Sequence, residues 1–227
     1  MPRALPMSTP DQPNSLNALS DSLGAEYDQS RAAQREQVIA ELKQVIDQVP
    51  EQIEFTNTPR FKVWGPILLL VSLAIAFGGM KTGSAGLTWL GVIMAVLFGV
   101  MSWQHRTAGT QVFMRLNRRQ LWVDSLSAPV EMADVEDISV KDEGQVMQQK
   151  LDLSSEAVLP THRAAKFQLF GNQAMALKKP RPHIRIMSAG IMTAGRRVHV
   201  DEMAAILAAY RDAARAQRQL DLLLRQG

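Results

Sequence analysis

The chain has 227 residues, 46% of them hydrophobic, with 25 Lys and Arg against 22 Asp and Glu and no cysteine. The missing thiols exclude disulfides, thiolate catalysis and cysteine metal sites. The length leaves room for one membrane hairpin and a domain of about a hundred residues, not for two enzymes.

The net charge of +3 is unevenly spread: residues 1–60 carry 5 basic and 9 acidic side chains, and residues 104–227 carry 18 and 13. A mildly basic C-terminal part is drawn to anionic headgroups, at about 1 kcal/mol per well-placed basic residue. Nucleic acid is not an expected partner, because no recognition motif or aromatic platform accompanies the charge.

Residues 1–28 are rich in Pro, Ser, Asn and Asp without helical or strand period, and are expected to be a disordered leader. Met1–Asn14 lacks the apolar core of a secretory signal, so no cleavage is expected. Residues 29–60 are expected to hold an amphipathic helix and a short strand. From Gln29 to Val49, Val38, Ile39, Leu42, Val45, Ile46 and Val49 fall on one helical face, with Ser30 as the expected N-cap and Pro50 ending the run. That face either packs on the chain's own C-terminal domain or serves as a docking helix. Gln52–Thr58 alternates like a strand.

Residues 61–106 form the expected two-helix transmembrane hairpin. Val63–Met80 and Gly86–Trp103 contain no ionisable residue, and each reaches the length of roughly 18 residues that a spanning helix needs. Trp64, Trp89 and Trp103 edge the spans, where a bilayer boundary accommodates both an apolar ring and a polar N–H. Arg60 and Lys62 precede the first span, and His105, Arg106 and Arg115 follow the second. The positive-inside rule then predicts that both termini lie in the cytoplasm. Gly91, Ala95 and Gly99 in the second span, and Ser72 and Ala76 in the first, recur every four residues and permit close helix approach. They serve either to pack the hairpin or to form a homo-oligomer seam. No ionisable group at membrane depth offers a proton or ion pathway, which argues against a transporter.

Residues 107–200 are expected to form a cytoplasmic β-rich domain. Strand patterns cover Thr110–Leu116, Gln120–Val123, Val130–Met132, Val135–Val140, Ala165–Phe170, Met175–Lys179, His183–Ser188 and Arg196–Val200, with Val146–Leu153 ambiguous. Short, evenly spaced strands predict an antiparallel barrel or sandwich. Residues 201–227 read as a C-terminal helix with Asp201 as N-cap and Met203, Ile206, Leu207, Tyr210, Ala213, Ala214 and Leu220 on its apolar face. The whole is a membrane α-helical hairpin with an α+β cytoplasmic domain.

The run FMRLNRRQLWVDS, followed by PVEMADVEDISV, resembles the opening strands of bacterial pleckstrin-homology-like domains, through Leu116, Arg119 and Leu121 and then Asp134, Val135, Ile138 and Val140. The closing HVDEMAAILAAYRDA is similar to the helix that caps such a barrel. The resemblance spans residues 108–215 and implies a PH-like barrel or sandwich that binds or scaffolds and has no catalytic residues. The sixty or so residues between Val140 and Asp201 exceed that pattern and allow an inserted loop around Asp142–Arg163.

Enzyme signatures are missing. His105, His162, His183 and His199 form no metal-ligand pair, and no nucleophile elbow or phosphate loop occurs. No metal or other cofactor is expected. Glu131, Asp134, Glu136 and Asp137, and then Asp142-Glu143, read as solvated edges. The stretch that stands out is Leu177–Arg185, LKKPRPHIR, whose prolines keep Lys178, Lys179, Arg181 and Arg185 out of a helix. These four either bind anionic lipid or a protein partner, or blunt a strand edge. The expected function is a non-enzymatic membrane scaffold; the alternative is an accessory subunit of a transport or secretion complex that interacts through its hairpin.

Overall fold

The computed structural model describes residues 15–144, 146–161 and 173–225. Helix α1 runs Ser15–Asp47 and so begins inside the segment expected to be a disordered leader; residues 1–14 lie outside the described ones. Ser30 is not a cap. Its hydroxyl donates to the Glu26 and Tyr27 carbonyls at 2.9 Å each, a bond that a serine inside a helix makes to the preceding turn.

Helix α4, Val200–Arg225, starts one residue before the expected cap Asp201, which lies in its first turn. The stripe Ile39, Leu42, Val45 and Ile46 of α1 packs against Ala216 and Leu220 of α4. The two helices are antiparallel: Tyr210 Oη donates to the Pro50 carbonyl at 3.0 Å, whereas Arg35 reaches the Leu223 carbonyl at 2.7 Å. The amphipathic stripe therefore packs within its own chain. Beyond Arg35, toward Ser15, α1 outruns its partner, and every described side chain from Leu23 to Val38 is exposed.

Two helices form the apolar hairpin, α2 at Arg60–Lys81 and α3 at Ala85–Gln104. Both are long and apolar enough to cross a membrane, with a mean hydropathy of 2.0 over Lys62–Lys81 and over Ala85–Gln104. Only 22% and 11% of those windows are buried in the chain, whereas a core helix of a water-soluble domain is mostly buried. Pro66 is the seventh residue of α2, beyond the first four whose N–H groups have no helix partner, so its missing N–H leaves the Lys62 carbonyl without that helix bond.

Among the described residues ten strands build two antiparallel sheets. The first comprises β1 (Gln52–Asn57), β2 (Val112–Asn117), β3 (Gln120–Val123), β4 (Val130–Glu131), β9 (Ile191–Thr193) and β10 (Arg196–Arg197), in the order β10-β9-β1-β2-β3-β4. The second comprises β5 (Val135–Asp142), β6 (Met147–Leu153), β7 (Gln173–Leu177) and β8 (His183–Ser188), in the order β5-β6-β8-β7. Among the described residues the sheets do not close into a barrel, so the barrel expectation reduces to two packed sheets with α4 against them.

Several expectations change. The region around Asp142–Arg163, expected as an inserted loop, supplies β6, an inner strand of the second sheet. Its alternation of Met147, Gln149, Leu151 and Leu153 inward with Gln148, Lys150 and Asp152 outward has strand period 2, masked in sequence by the polar Gln149 on the buried side. Strand β9 was not anticipated, and Val200 opens α4 rather than ending a strand. The expected strand Ala165–Phe170 lies outside the described residues.

The larger revision concerns domain organisation. β1 precedes the hairpin and β2 follows it, yet the two pair directly, Ile53 opposite Leu116 and Phe55 opposite Met114. The pieces expected as separate, residues 29–60 and 107–200, are one folded unit, and α2 with α3 is an insertion between neighbouring strands. One core joins both pieces: Phe55, Met114, Leu116, Leu121, Leu151, Ile184, Ile186 and Ile191 from the sheets, Met132 from the 3-10 turn between β4 and β5, and Met203, Leu207 and Tyr210 from α4. Each large apolar side chain taken out of water there contributes about 1.5–3 kcal/mol.

Candidate functional site

The first candidate is the junction between hairpin and sheets. Only Thr58 and Pro59 separate β1 from α2, and His105–Gln111 leads from α3 into β2. Contacts across the sheets fix this junction: Thr58 Oγ1 donates to the Ala189 carbonyl at 3.2 Å, beside Gly190, and Gly109 lies against Pro59. Gly190 has φ +118, and a Cβ there would stand 2.8 Å from Thr58 Cγ2, so the turn both needs glycine's conformation and leaves no space for a side chain. Arg60 and Lys62 at the start of α2 and Arg106 at the end of α3 gather here, with the Arg106 guanidinium 4.3 Å from the Trp103 ring centroid. His105 is buried at the same end.

The second candidate is the hairpin seam. Ser72, Ala76, Gly91 and Ala95 are all buried between the helices. A Cβ on Gly91 would lie 2.4 Å from the Ala76 backbone nitrogen, so the helices touch backbone to backbone at that level. Ser72 satisfies its hydroxyl within α2 by donating to the Leu68 carbonyl at 2.7 Å. Gly99 differs from the rest: the nearest atom to a Cβ built on it is Leu69 Cδ1 at 4.0 Å, and it does not join the close seam.

Sequence reasoning missed two other members of that seam. A Cβ on Gly79 would come within 2.5 Å of the Thr88 nitrogen, and one on Gly65 within 3.2 Å of Ser102. The signal was present: Gly65, Ser72 and Gly79 recur every seven residues on one face of α2.

The third candidate is the basic stretch, which the structure divides. Lys178, Lys179 and Arg181 are exposed in the turn between β7 and β8. Arg185 lies within β8, its side chain on the outer face of the four-stranded sheet opposite Lys150 on β6 and Met175 on β7. The turn sits at the opposite end of β8 from the Ala189–Thr58 contact, one strand length or about 20 Å from the hairpin junction. Lys150, absent from the sequence candidates because its strand was ambiguous, bridges to Asp152 at 2.7 Å. His183, buried beside Asp152, holds its Nδ1 2.8 Å from the Arg181 carbonyl; a carbonyl only accepts, so Nδ1 carries the proton. The Arg185 Nε–H is enclosed and, among the described residues, has no hydrogen-bond partner.

The remaining charged groups do structural work. Asp134 receives Arg218 at 2.7 Å and Asp221 receives Arg119 at 2.9 Å, tying α4 to the sheets. Arg118 donates from Nε and Nη2 to the Val49 carbonyl and pairs with Asp47, closing the end of α1. Arg196 and Glu202 form a short pair, and the arginine holds the Glu202 carboxyl below the usual carboxylate range. Burial pushes the Tyr210 phenol up. Among the described residues no group of three or more His, Asp or Glu could hold a metal ion.

No protein-family model, curated protein or solved structure matches this chain. Its function therefore has to be argued from the architecture.

Proposed function

We propose that this chain is a non-catalytic membrane scaffold, in which α2 and α3 anchor the two-sheet domain at a bilayer so that it can bind a protein partner. The observation that carries this is the insertion of the apolar hairpin between paired neighbours β1 and β2. Both ends of the hairpin leave from one end of one sheet. A bilayer that holds the hairpin therefore holds the domain, with no long tether between them. Uncharged spans with lipid-sized apolar exposure support the anchor, and the flanking Arg60, Lys62 and Arg106 support a cytoplasmic domain under the positive-inside rule. The pleckstrin-homology-like resemblance agrees with a binding role.

Within this reading the basic turn serves a protein better than lipid. About 20 Å separates it from the junction, more than two Debye lengths at physiological salt, so attraction to headgroups at the hairpin would be largely screened. A second reading, an accessory subunit that binds through its hairpin, is favoured by one observation: Gly99 is left outside the close seam and available to another helix.

Membrane fractionation with carbonate extraction, followed by affinity capture in mild detergent, tests both. Retention in the carbonate pellet and capture that survives Gly99→Leu but fails with Lys178→Gln/Lys179→Gln/Arg181→Gln is the expected result. Release by carbonate refutes the anchor, and capture lost only with Gly99→Leu transfers the role to the hairpin.

A further inference from the structure

The outer face of the four-stranded sheet carries an unusual arrangement of charge. Lys150 and Arg185 stand directly opposite each other on adjacent antiparallel strands. Two like charges at such positions repel and destabilise the pair unless something compensates. Lys150 is compensated by Asp152. Among the described residues Arg185 has no such partner: its ladder neighbours are Lys150 and Met175, and its enclosed Nε–H finds no acceptor. Arginine presents a planar fork of donors that matches a carboxylate in two parallel hydrogen bonds, a geometry that lysine lacks.

The surroundings extend the imbalance. At the His183 end of the same strand the turn adds Lys178, Lys179 and Arg181, all exposed, and β6 adjoins it through the Leu153 N–H to Pro182 carbonyl bond of 2.8 Å. Among the described residues the acidic groups in register with these cations are Asp152, already engaged, and Asp137 opposite it on β5. Met175, Leu177 and Met187 border the cations on β7 and β8, so the face offers apolar contact beside charge.

We propose that this face is a docking surface for an acidic segment of a partner protein, with one of its carboxylates seated on the Arg185 fork and others along Lys178, Lys179 and Arg181. The proposal rests on the scaffold reading above and names its partner's chemistry. Charge complementarity commits it to an acidic polypeptide, because a bilayer at the hairpin is a strand length away. Docking would set a carboxylate against the terminal nitrogens of the Arg185 guanidinium and relieve its repulsion with Lys150.

The test uses the full chain in nanodiscs of uncharged lipid and a fluorescent oligoglutamate peptide, read by anisotropy. Saturable binding is expected, weakening as salt rises. Arg185→Lys, which keeps the charge and loses the fork, is expected to weaken it about tenfold, and Lys178→Gln/Lys179→Gln/Arg181→Gln to abolish it. Arg115→Gln, on the outer face of the other sheet, is expected to leave it unchanged. Absence of binding, or binding equally strong in the Arg185 and turn variants, overturns the proposal. Displacement of the peptide by free phosphatidylglycerol vesicles, but not by unlabelled oligoglutamate, assigns the face to lipid and also overturns it. None of these outcomes depends on carbonate extraction or partner capture, so the scaffold reading can fail separately.

Discussion

Gly91→Ala is the sharpest perturbation available in the hairpin. The added Cβ would lie 2.4 Å from Ala76 N, 2.6 Å from Ala76 Cα and 2.8 Å from Ala76 Cβ. Two of these are backbone atoms, which cannot rotate away. Ordinary contact begins at 3.4 Å, so the helices must separate by about 1 Å at this level. That displacement removes dispersion contacts along the seam from Ser72 to Ala95, and overpacking of this kind costs about 1–3 kcal/mol. The absence of cysteine permits a clean assay. Cysteines placed at Gly65 and Ser102, where a Cβ on Gly65 would lie 3.2 Å from Ser102 Cβ at the junction end of the seam, should cross-link on mild oxidation and report helix proximity by gel mobility. Gly91→Ala is expected to slow cross-linking and lower the midpoint of thermal aggregation in detergent, and Gly91→Leu to do both more strongly. Gly99→Ala should do neither, because its nearest neighbour is a flexible side-chain tip at 4.0 Å. Equal effects at Gly91 and Gly99, or no effect at Gly91, would refute the seam.

Other outcomes follow from the domain. Gln149 is fully buried on the core side of β6, and among the described residues neither amide atom has a hydrogen-bond partner, so Gln149→Met is expected to raise stability by about 1–3 kcal/mol in urea unfolding of the detergent-solubilised chain. Tyr210→Phe removes the bond to the Pro50 carbonyl and should lower stability by about 0.5–1.5 kcal/mol in the same assay. In the native chain the Tyr210 phenol is held up by burial, so its contribution is complete below the ordinary tyrosine pKa of about 10 and declines as pH rises through the raised value. The Glu202 carboxyl is held down by Arg196, so its contribution is present above about pH 4.3 and is lost as pH falls through the lowered value. Melting curves of wild type and Glu202→Gln should differ at neutral pH and converge in acid. Gly190→Ala puts a side chain at positive φ against Thr58 and is expected to destabilise by about 1–3 kcal/mol, with increased proteolysis at the junction.

Much of the element inventory was legible in the sequence, and the reasons are local. The hairpin spans declare themselves by uninterrupted apolarity, the β2–β3 hairpin by the Asn117-Arg118-Arg119 break between alternating runs, and α4 by a helical stripe that ends up buried. The hidden parts had weak or misleading local signals. β6 carries Gln149 where an apolar residue was expected, and β9 has three residues, too few to show a period. The start of α1 resembles a leader because its described side chains are exposed and its Ser, Asn and Asp content obscures a helical stripe.

The candidate sites divide in the same way. Composition identified Lys178, Lys179, Arg181 and Arg185 as one group because they are close in sequence. The strand period then sends Arg185 onto a sheet face opposite Lys150, while the other three stay in a turn. Likewise Gly91 and Gly99 look equivalent at a four-residue spacing, but a Cβ on Gly91 would meet the Ala76 backbone, whereas Gly99 has only the Leu69 side-chain tip at 4.0 Å. The helices nevertheless approach closely on either side of Gly99, at Gly91 and at Gly65 with Ser102.

Taken by itself, the sequence determined that this chain has two uncharged helices of membrane length, no thiol chemistry, a β-rich remainder and a basic stretch, because each of these depends on composition and short-range periodicity. Only the tertiary structure decided that β1 crosses over the hairpin to pair with β2, making one domain of two sequence blocks, and that Lys150 and Arg185 face each other. Strand pairing depends on which residues meet across long sequence separations, and no local pattern in either strand records its partner.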